Sequence, residues 1–147
     1  MRYFSHSIGG TDETMTEFPL LIATPDGVIF DGMAESLLVK CADGDVEILA
    51  HHADFFSSLG IGRARIKTAD GSRLASAAGG FLSVTKDKVM LVATTFEYAD
   101  EIDLNRAKTA KENAERTIAN ANDERTLEIA KAKLRRALNR ISVGEMK

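Results

Sequence analysis

The sequence predicts a β-sheet domain followed by an α-helical segment within a chain of 147 residues. Ten of the eleven glycines, both prolines and all nine aromatic residues lie in the first 98 positions. Charged residues number 20 among the first 96 residues and 21 among the last 51. Turn-forming residues thus give way to Ala, Lys, Glu and Leu, which is the change expected where strands are followed by helices. We therefore predict a β-sandwich or barrel first and helices after about residue 97.

Short segments with alternating side chains predict the strands. Residues 63–68 place three basic side chains on one face and Ala64, Ile66 and Thr68 on the other, which is the period of a half-buried strand. Asp70-Gly71 follows and favours a two-residue type I′ hairpin turn with a return strand over residues 73–78. Turn or bend signals recur at Pro25-Asp26-Gly27, Lys86-Asp87 and Gly79-Gly80, the last of which predicts a bulge or bend between separate strands.

The region after residue 97 predicts two helices that form a hairpin. Apolar residues recur at helical spacing over residues 104–118 and again over 127–141, with a polar stretch between them. Asp103 and Asp123 are the predicted N-caps, since a carboxylate accepts hydrogen bonds from free first-turn amides. Alanines dominate the facing positions and bury little area at ~25 cal/mol per Å². We therefore predict a weakly held hairpin, because elements of low stability are those that move.

Charge and cysteine content exclude several classes of protein. The net charge of −3 argues against nucleic-acid binding driven by phosphate neutralisation. The chain has a single cysteine, Cys41, which excludes an internal disulfide and a thiolate zinc cluster. Cys41 lies in a segment with the alternation of a strand, and we predict that it is a small residue of the core. No apolar run approaches the roughly 18 residues of a membrane span, and the first 14 residues lack the apolar segment of a signal peptide. These features predict a soluble, intracellular protein.

No group of residues predicts a catalytic or metal site. His51 and His52 fall in a loop beside two phenylalanines, where a histidine that packs on a neighbour is the expected role. Asp43, Asp45 and Glu47 alternate along one strand and so project to one face without enclosing an ion. Phosphate-binding and dinucleotide-binding glycine motifs are absent from the sequence. We therefore predict no catalytic residue and no metal ligand.

Five segments, in this order, are similar to motifs of one family. They are residues 21–32 (LIATPDGVIFDG), 44–53 (GDVEILAHHA), 79–84 (GGFLSV), 102–107 (IDLNRA) and 136–143 (RALNRISV). Together they resemble the epsilon subunit of bacterial F-type ATP synthase over roughly residues 18–147. The resemblance implies a ten-stranded β-sandwich over residues 18–99 and an antiparallel two-helix hairpin over 100–147. Residues 1–17 are then a flexible N-terminal extension.

The resemblance also implies a function without catalysis. A member of this family is a rotor subunit in the central stalk of a proton-translocating ATP synthase, peripheral at the cytoplasmic face of the bacterial cell membrane. Its partners are the gamma subunit, the ring of c subunits, and the beta and alpha subunits of the catalytic head, with membrane contact only through the c ring. The helices inhibit ATP hydrolysis when they extend. No cofactor is required, although in some members ATP is a regulatory ligand that favours the folded hairpin.

Matching positions give the candidate site residues. The nucleotide-binding positions of the family match Glu97, Ile102, Asp103, Arg106, Ala107, Arg136 and Arg140 in this sequence. Asn113 stands where the ATP-binding members have an arginine. Candidate partner contacts are Asp43, Gly44, Asp45, His52, Arg135, Arg136 and Arg140. Residues 124–147 contain seven basic and three acidic residues and so carry a net charge of +4 in an otherwise acidic chain. We therefore expect this segment to lie against an acidic surface, either of its own sandwich or of a partner.

An alternative from another class stays open at this point. The chain could be a stand-alone β-sandwich binding module with the helices as a dimerisation arm. Long heptads of larger side chains would favour that alternative, whereas the seams here are rich in alanine and only about four turns long. A metal-dependent enzyme is a more distant third, because the sequence lacks a cluster of ligands.

Overall fold

The structure is a computed structural model that describes residues 2–4 and 16–146. Its strands run over Arg2–Phe4 (β1), Phe18–Thr24 (β2), Gly27–Ala34 (β3), Ser36–Cys41 (β4), Gly44–Leu49 (β5), Phe55–Ser58 (β6), Ile61–Thr68 (β7), Gly71–Val84 (β8) and Val89–Tyr98 (β9). A 3₁₀ turn over Ala99–Glu101 leads to the helices Leu104–Asn120 (α1) and Glu124–Gly144 (α2). The predicted β-sandwich followed by two helices is confirmed.

The implied count of ten strands is wrong. The described residues hold nine strands, of which eight lie between Phe18 and Tyr98. One reason is that β8 runs unbroken for 14 residues, although the sequence predicts separate strands on either side of Gly79-Gly80. The first half of β8 pairs with β7 and its second half pairs with β6, so a single strand serves two parts of the sheet.

The two glycines of β8 form a bend and not a bulge. The pairing register of β8 with β9 is the same on both sides of them. Gly79 and Gly80 have φ values of 72° and 93°, which other residues rarely adopt. A Cβ at Gly80 would also collide with the backbone carbonyl oxygen of Val92 on β9. The bend therefore needs glycine both for its backbone angle and for the close approach of the neighbouring strand.

Three hairpin loops share the sequence x-Asp-Gly. Residue pairs Thr24–Gly27, Cys41–Gly44 and Thr68–Gly71 close two-residue connections, and each glycine has φ between 123° and 130°. The predicted type I′ turn at Asp70-Gly71 is wrong. That turn needs a positive φ at both central residues, here Ala69 and Asp70, and neither of them has one. The positive φ instead falls on the glycine that follows the two turn residues and begins the return strand.

The strand network runs in the order β1-β5-β4-β7-β8-β9-β2-β3, with β6 attached to β8. It folds over a core whose fully buried large side chains include Leu20, Leu37, Ile48, Leu82 and Leu91. Cys41 is one of these core residues, as predicted, and its burial raises the pKa of the thiol. The main cluster of buried apolar residues lies entirely between Phe18 and Tyr98. The sandwich therefore has a hydrophobic core of its own.

The helices begin where the sequence predicts. The backbone N–H of Arg106 donates to Asp103 Oδ1 at 3.1 Å, and that of Thr126 donates to Asp123 Oδ1 at 3.3 Å, which confirms both N-caps. The seam is lined by alanine, also as predicted, with Ala107, Ala114, Ala130 and Ala137 buried. A Cβ at Gly144 would meet Leu104, so the end of α2 lies against the start of α1.

A small apolar cluster joins the two parts of the molecule. Ile102 and Val143 are buried there with Ala99, and Leu74 and Leu104 pack against them. The long contact between the sandwich and the helices is made by α2, which packs on β7 and β8.

The N-terminal region is described only in part. Within the predicted flexible extension, Arg2–Phe4 forms β1, which pairs in parallel with β5. Residues 1 and 5–15 of that predicted segment lie outside the described residues. In the described ranges 2–4 and 16–146, no helix has the length and apolar character needed to cross a membrane.

Candidate functional site

A cavity of about 890 Å³ lies between the sandwich and the two helices. We call it the interface cavity. Its volume is within the range of about 300–1,000 Å³ typical of small-molecule sites. Strands β2, β3, β8 and β9 supply one side of the cavity, and α1 and α2 supply the other. Short side chains make the space, since Ala110, Ala114, Ala130 and Ala137 face it from the helices. A ligand in this cavity would touch both domains.

Basic side chains line the helical wall of the interface cavity. Arg106 reaches it from α1, and Lys133, Arg136 and Arg140 reach it from α2. Arg140 is paired with Glu97 of β9, with Nε 2.8 Å from Oε1 and Nη2 3.3 Å from Oε2. No carboxylate of the described residues lies within 4.0 Å of the charged groups of the other three.

These groups suit an anion with several oxygens. Guanidinium groups form forked, charge-assisted hydrogen bonds with phosphates, and ammonium groups bind them as point charges. The sandwich side adds hydroxyl groups from Thr94 and Thr95 and the carboxylate of Asp26. Four cations therefore face two carboxylates, one of which is already paired with Arg140. The surplus of positive charge favours a phosphate-containing ligand.

The structure brings together four of the seven predicted nucleotide-binding residues. Glu97, Arg106, Arg136 and Arg140 all line the interface cavity. Asp103, Ile102 and Ala107 do not line it. Asp103 caps α1, Ile102 is buried in the small apolar cluster that joins the sandwich to the helices, and Ala107 is fully buried in the helix seam. Of the three, Asp103 contacts Arg106, whose backbone N–H donates to Asp103 Oδ1. A nucleotide role for all three stays a prediction.

Several lining residues were not predicted from the sequence. Lys133 is the most important, because it adds a cation to the face of α2 that carries Arg136 and Arg140. Its spacing of three residues from Arg136 is a signal that could have identified it. Thr94 and Thr95 carried no such signal, since hydroxyls on a strand are common. Asn113 also lines the cavity, and its Oδ1 accepts a hydrogen bond of 2.9 Å from Arg116.

Side-chain hydrogen bonds dock α2 onto the sandwich beside the cavity. Asn139 Nδ2 donates to Gly62 O at 2.9 Å and to Ser76 Oγ at 2.8 Å. The Arg140–Glu97 pair is the adjacent contact. Within the described residues, these two neighbouring side chains supply the side-chain hydrogen bonds between α2 and the strands. The polar part of the docking contact is thus small.

The predicted partner contacts do not form one patch. Asp43 lies in the β4–β5 turn and Gly44 and Asp45 begin β5, whereas His52 follows the opposite end of β5. A six-residue strand separates the two ends by roughly 17 Å. The ring of His52 packs edge-to-face on Phe18, 5.9 Å between centroids, as expected of a loop histidine.

The three arginines of α2 also divide. Arg135 is exposed, whereas Arg136 and Arg140 are half-buried and line the interface cavity. Among the described residues, no three or more His, Cys, Asp or Glu side chains lie together in a group that could hold a metal ion.

Comparison with known proteins identifies the family. The ATP synthase delta/epsilon chain β-sandwich domain matches residues 17–99, and the long α-helix domain of the same chain matches residues 100–145. The chain belongs to the ATP synthase delta/epsilon chain family. The resemblance drawn from the sequence is therefore confirmed at the level of the family.

Curated relatives agree with this assignment. The ATP synthase epsilon chain of Caldicellulosiruptor saccharolyticus is 36% identical over 131 residues, which cover 89% of this chain and 96% of the relative. That of Bacillus cytotoxicus is 35% identical over 133 residues, which cover 90% and 100%. The sodium ion specific epsilon chain of Propionigenium modestum is 31% identical over 131 residues, which cover 89% and 96%.

Solved structures share the fold. A chain of the Euglena gracilis mitochondrial ATP synthase superposes with a TM-score of 0.76 at 17% identity, covering 97% of this chain and 89% of its own. A chain of the central stalk and c ring of the Tetrahymena thermophila mitochondrial ATP synthase superposes with a TM-score of 0.57 at 13% identity, covering 88% of this chain and 97% of its own.

Proposed function

We propose that the chain is the epsilon subunit of a proton-translocating F-type ATP synthase and that ATP in the interface cavity controls its helical hairpin. The subunit is a non-catalytic part of the rotor. One observation carries the regulatory part: a basic cavity of about 890 Å³ separates the hairpin from the sandwich. A ligand there contacts both domains and so stabilises the docked hairpin relative to any other arrangement. Family membership supports the assignment to ATP synthase.

The partners follow from that assignment. The sandwich contacts the gamma subunit and the c ring, and the helices contact the beta and alpha subunits when they leave the sandwich. The subunit is peripheral at the cytoplasmic face of the bacterial membrane and meets the membrane only through the c ring. The sites that select the coupling ion belong to other subunits, and one relative is named sodium ion specific while others carry no such label.

The docked hairpin is held weakly enough to act as a switch. The two hydrogen bonds of Asn139 contribute about 0.5–1.5 kcal/mol each. The partly buried Arg140–Glu97 pair adds about 0.2–1 kcal/mol. The alanine-lined seam between the helices stays intact when the hairpin moves as a unit. The polar contacts of docking therefore contribute a few kcal/mol, the range in which a ligand or partner shifts the balance between docked and undocked arrangements. The apolar cluster around Ile102 and Val143 contributes in addition.

Charge supports a role for the undocked hairpin in inhibition. While it is docked, Arg136 faces the interface cavity and Arg140 is paired with Glu97. Undocking frees both side chains to join the exposed Arg135. The segment 124–147 carries a net +4. It would therefore bind an acidic segment of the catalytic head and resist rotation in the direction of hydrolysis.

Reconstituted complexes test the inhibitory role. We expect removal of residues 101–147 to raise the rate of ATP hydrolysis and to leave rotor assembly and ion-driven synthesis largely intact. Replacement of Arg135, Arg136 and Arg140 by alanine should give part of the same increase, and high salt should shrink the difference by screening. Equal hydrolysis by full-length and truncated complexes at both salt concentrations would refute inhibition. Loss of assembly would show that the hairpin is structural.

Calorimetric titration of the isolated full-length chain with ATP tests the ligand. Arg106→Ala should weaken binding several-fold, because it removes an unpaired cation from the cavity wall. Arg125→Ala is the matched control, since Arg125 is exposed at the start of α2 and does not line the cavity. Absence of binding at millimolar ATP would remove nucleotide control from the proposal.

A further inference from the structure

Lys133 is a cation of the interface cavity that the docked protein leaves without a carboxylate partner. It lines the cavity from α2. On a helix, charge pairs form with residues three or four positions away. For Lys133 these positions hold Ile129, Ala130, Arg136 and Ala137, none of which is acidic. Lys131, on another face of the same helix, pairs with Glu128 at 3.6 Å.

Lys133, Arg136 and Arg140 form a row along one face of α2. Their spacings of three and four residues place successive members one helical turn apart. Like charges at these spacings destabilise a helix by about 0.2–0.5 kcal/mol per pair. Only Arg140 is compensated, by Glu97. Asp26 is the other carboxylate that lines the cavity, and it is not within ion-pair distance of Lys133. An anion is the group that would relieve the rest of this row.

The neighbouring helix α1 adds no cation to the cavity lining at this level. At 1.5 Å per residue along a helix axis, Asn113 on α1 lies roughly 10 Å from the connection between the helices. Lys133 on α2 lies roughly 14 Å from the same connection, so the two residues are at similar heights. Asn113 is neutral, and its Oδ1 already accepts from Arg116. Arg106 reaches the cavity about two turns further from the connection. Lys133 is therefore the cation that serves the middle of the cavity.

We propose that Lys133 binds the phosphate groups of the ligand in the interface cavity and, together with Arg136, forms its polyphosphate subsite. This assignment rests on the proposed binding of ATP. It predicts that the contribution of Lys133 grows with the number of phosphates, because each added phosphate brings further negative charge within reach of the ammonium group. A lysine that merely packed its stem against the helices would affect ATP and AMP alike.

Calorimetric titration of the full-length chain with ATP and with AMP tests the assignment. Lys133→Ala should weaken ATP binding about two- to fivefold, the loss expected for an exposed charge contact, and AMP binding less than twofold. Lys133→Arg should retain ATP binding. Lys131→Ala is the matched control on the same helix and should leave both ligands unaffected. Raising the salt concentration should weaken ATP binding to the unmodified chain more than to Lys133→Ala.

The outcomes separate this inference from the proposed function. If the unmodified chain binds no ATP, nucleotide binding and the role of Lys133 both fail. If it binds ATP and Arg106→Ala weakens binding, but Lys133→Ala does not, only the role of Lys133 is overturned. Equal losses with Lys131→Ala, or equal losses for ATP and AMP, would also overturn it. Thermal unfolding of each variant shows that it is folded, and Lys133→Arg separates loss of charge from loss of structure.

Discussion

Replacing Asn139 by alanine should undock the hairpin without unfolding the sandwich. Asn139 Nδ2 reaches from α2 to Gly62 O on β7 and to Ser76 Oγ on β8. Ser76 is 6% exposed, so its hydroxyl loses a partner in a place that water does not readily reach. The substitution keeps α2 helical, because alanine has the highest helix propensity. Its effect is therefore confined to the contact between α2 and the strands.

The magnitude follows from the two hydrogen bonds. At about 0.5–1.5 kcal/mol each, their loss weakens docking by about 1–3 kcal/mol. That change multiplies the ratio of undocked to docked protein by about 5 to 150. ATP in the interface cavity would contact both the helices and the sandwich, so only docked molecules bind it in this way. The apparent affinity for ATP should therefore fall in proportion to the fraction of molecules that are docked. The sandwich should keep its stability, because its main core cluster lies between Phe18 and Tyr98.

Hydrogen exchange measured by mass spectrometry checks this prediction. Peptides from the strands that α2 covers should exchange faster in Asn139→Ala, and peptides from the sandwich core should not. Asn105→Ala is the control, since Asn105 is exposed on α1 and the substitution is the same exchange of Asn for Ala within a helix. Unchanged exchange beneath α2, or an equal increase in Asn105→Ala, would refute the view that Asn139 holds the hairpin.

Other parts of the structure lead to further predictions. Gly80→Ala should destabilise the sandwich by more than about 3 kcal/mol in denaturant unfolding, since it adds a backbone collision to an unfavourable φ. Gly32→Ala is the control and should have a much smaller effect. Similar losses of stability in the two variants would contradict the role of Gly80 in the bend. A chain of residues 1–99 should unfold cooperatively on heating, and a disordered product would refute an independent sandwich. Asn113→Arg should tighten ATP binding in calorimetry, and weaker binding would contradict the placement of phosphates. Because burial raises the pKa of Cys41, its thiolate fraction at pH 8 is depressed, and a disulfide reagent should react rapidly only after denaturation.

Local features were predictable from the sequence because they depend on neighbours in the chain. The caps Asp103 and Asp123 act on amides three residues away, and the alternation of residues 63–68 sets which face of β7 is buried. The alanine-lined seams follow from helical periodicity in the same way. The exception is the x-Asp-Gly turn, where a count of residues between strands was needed to place glycine after the turn.

Tertiary structure alone decided how distant segments meet. The sequence predicts two strands around Gly79-Gly80, but the structure has a single strand, β8, that bends there. The backbone angles of the bend let the first half of β8 pair with β7 and its second half with β6. The seven matched positions could be identified from the sequence, but only the packing of the helices on the sandwich shows that Ile102 is buried while Arg106 lines the cavity. The sequence by itself determined the family, the caps and the alanine lining of the seam. The cavity depends on how closely α2 approaches the sandwich, a distance that no local pattern encodes.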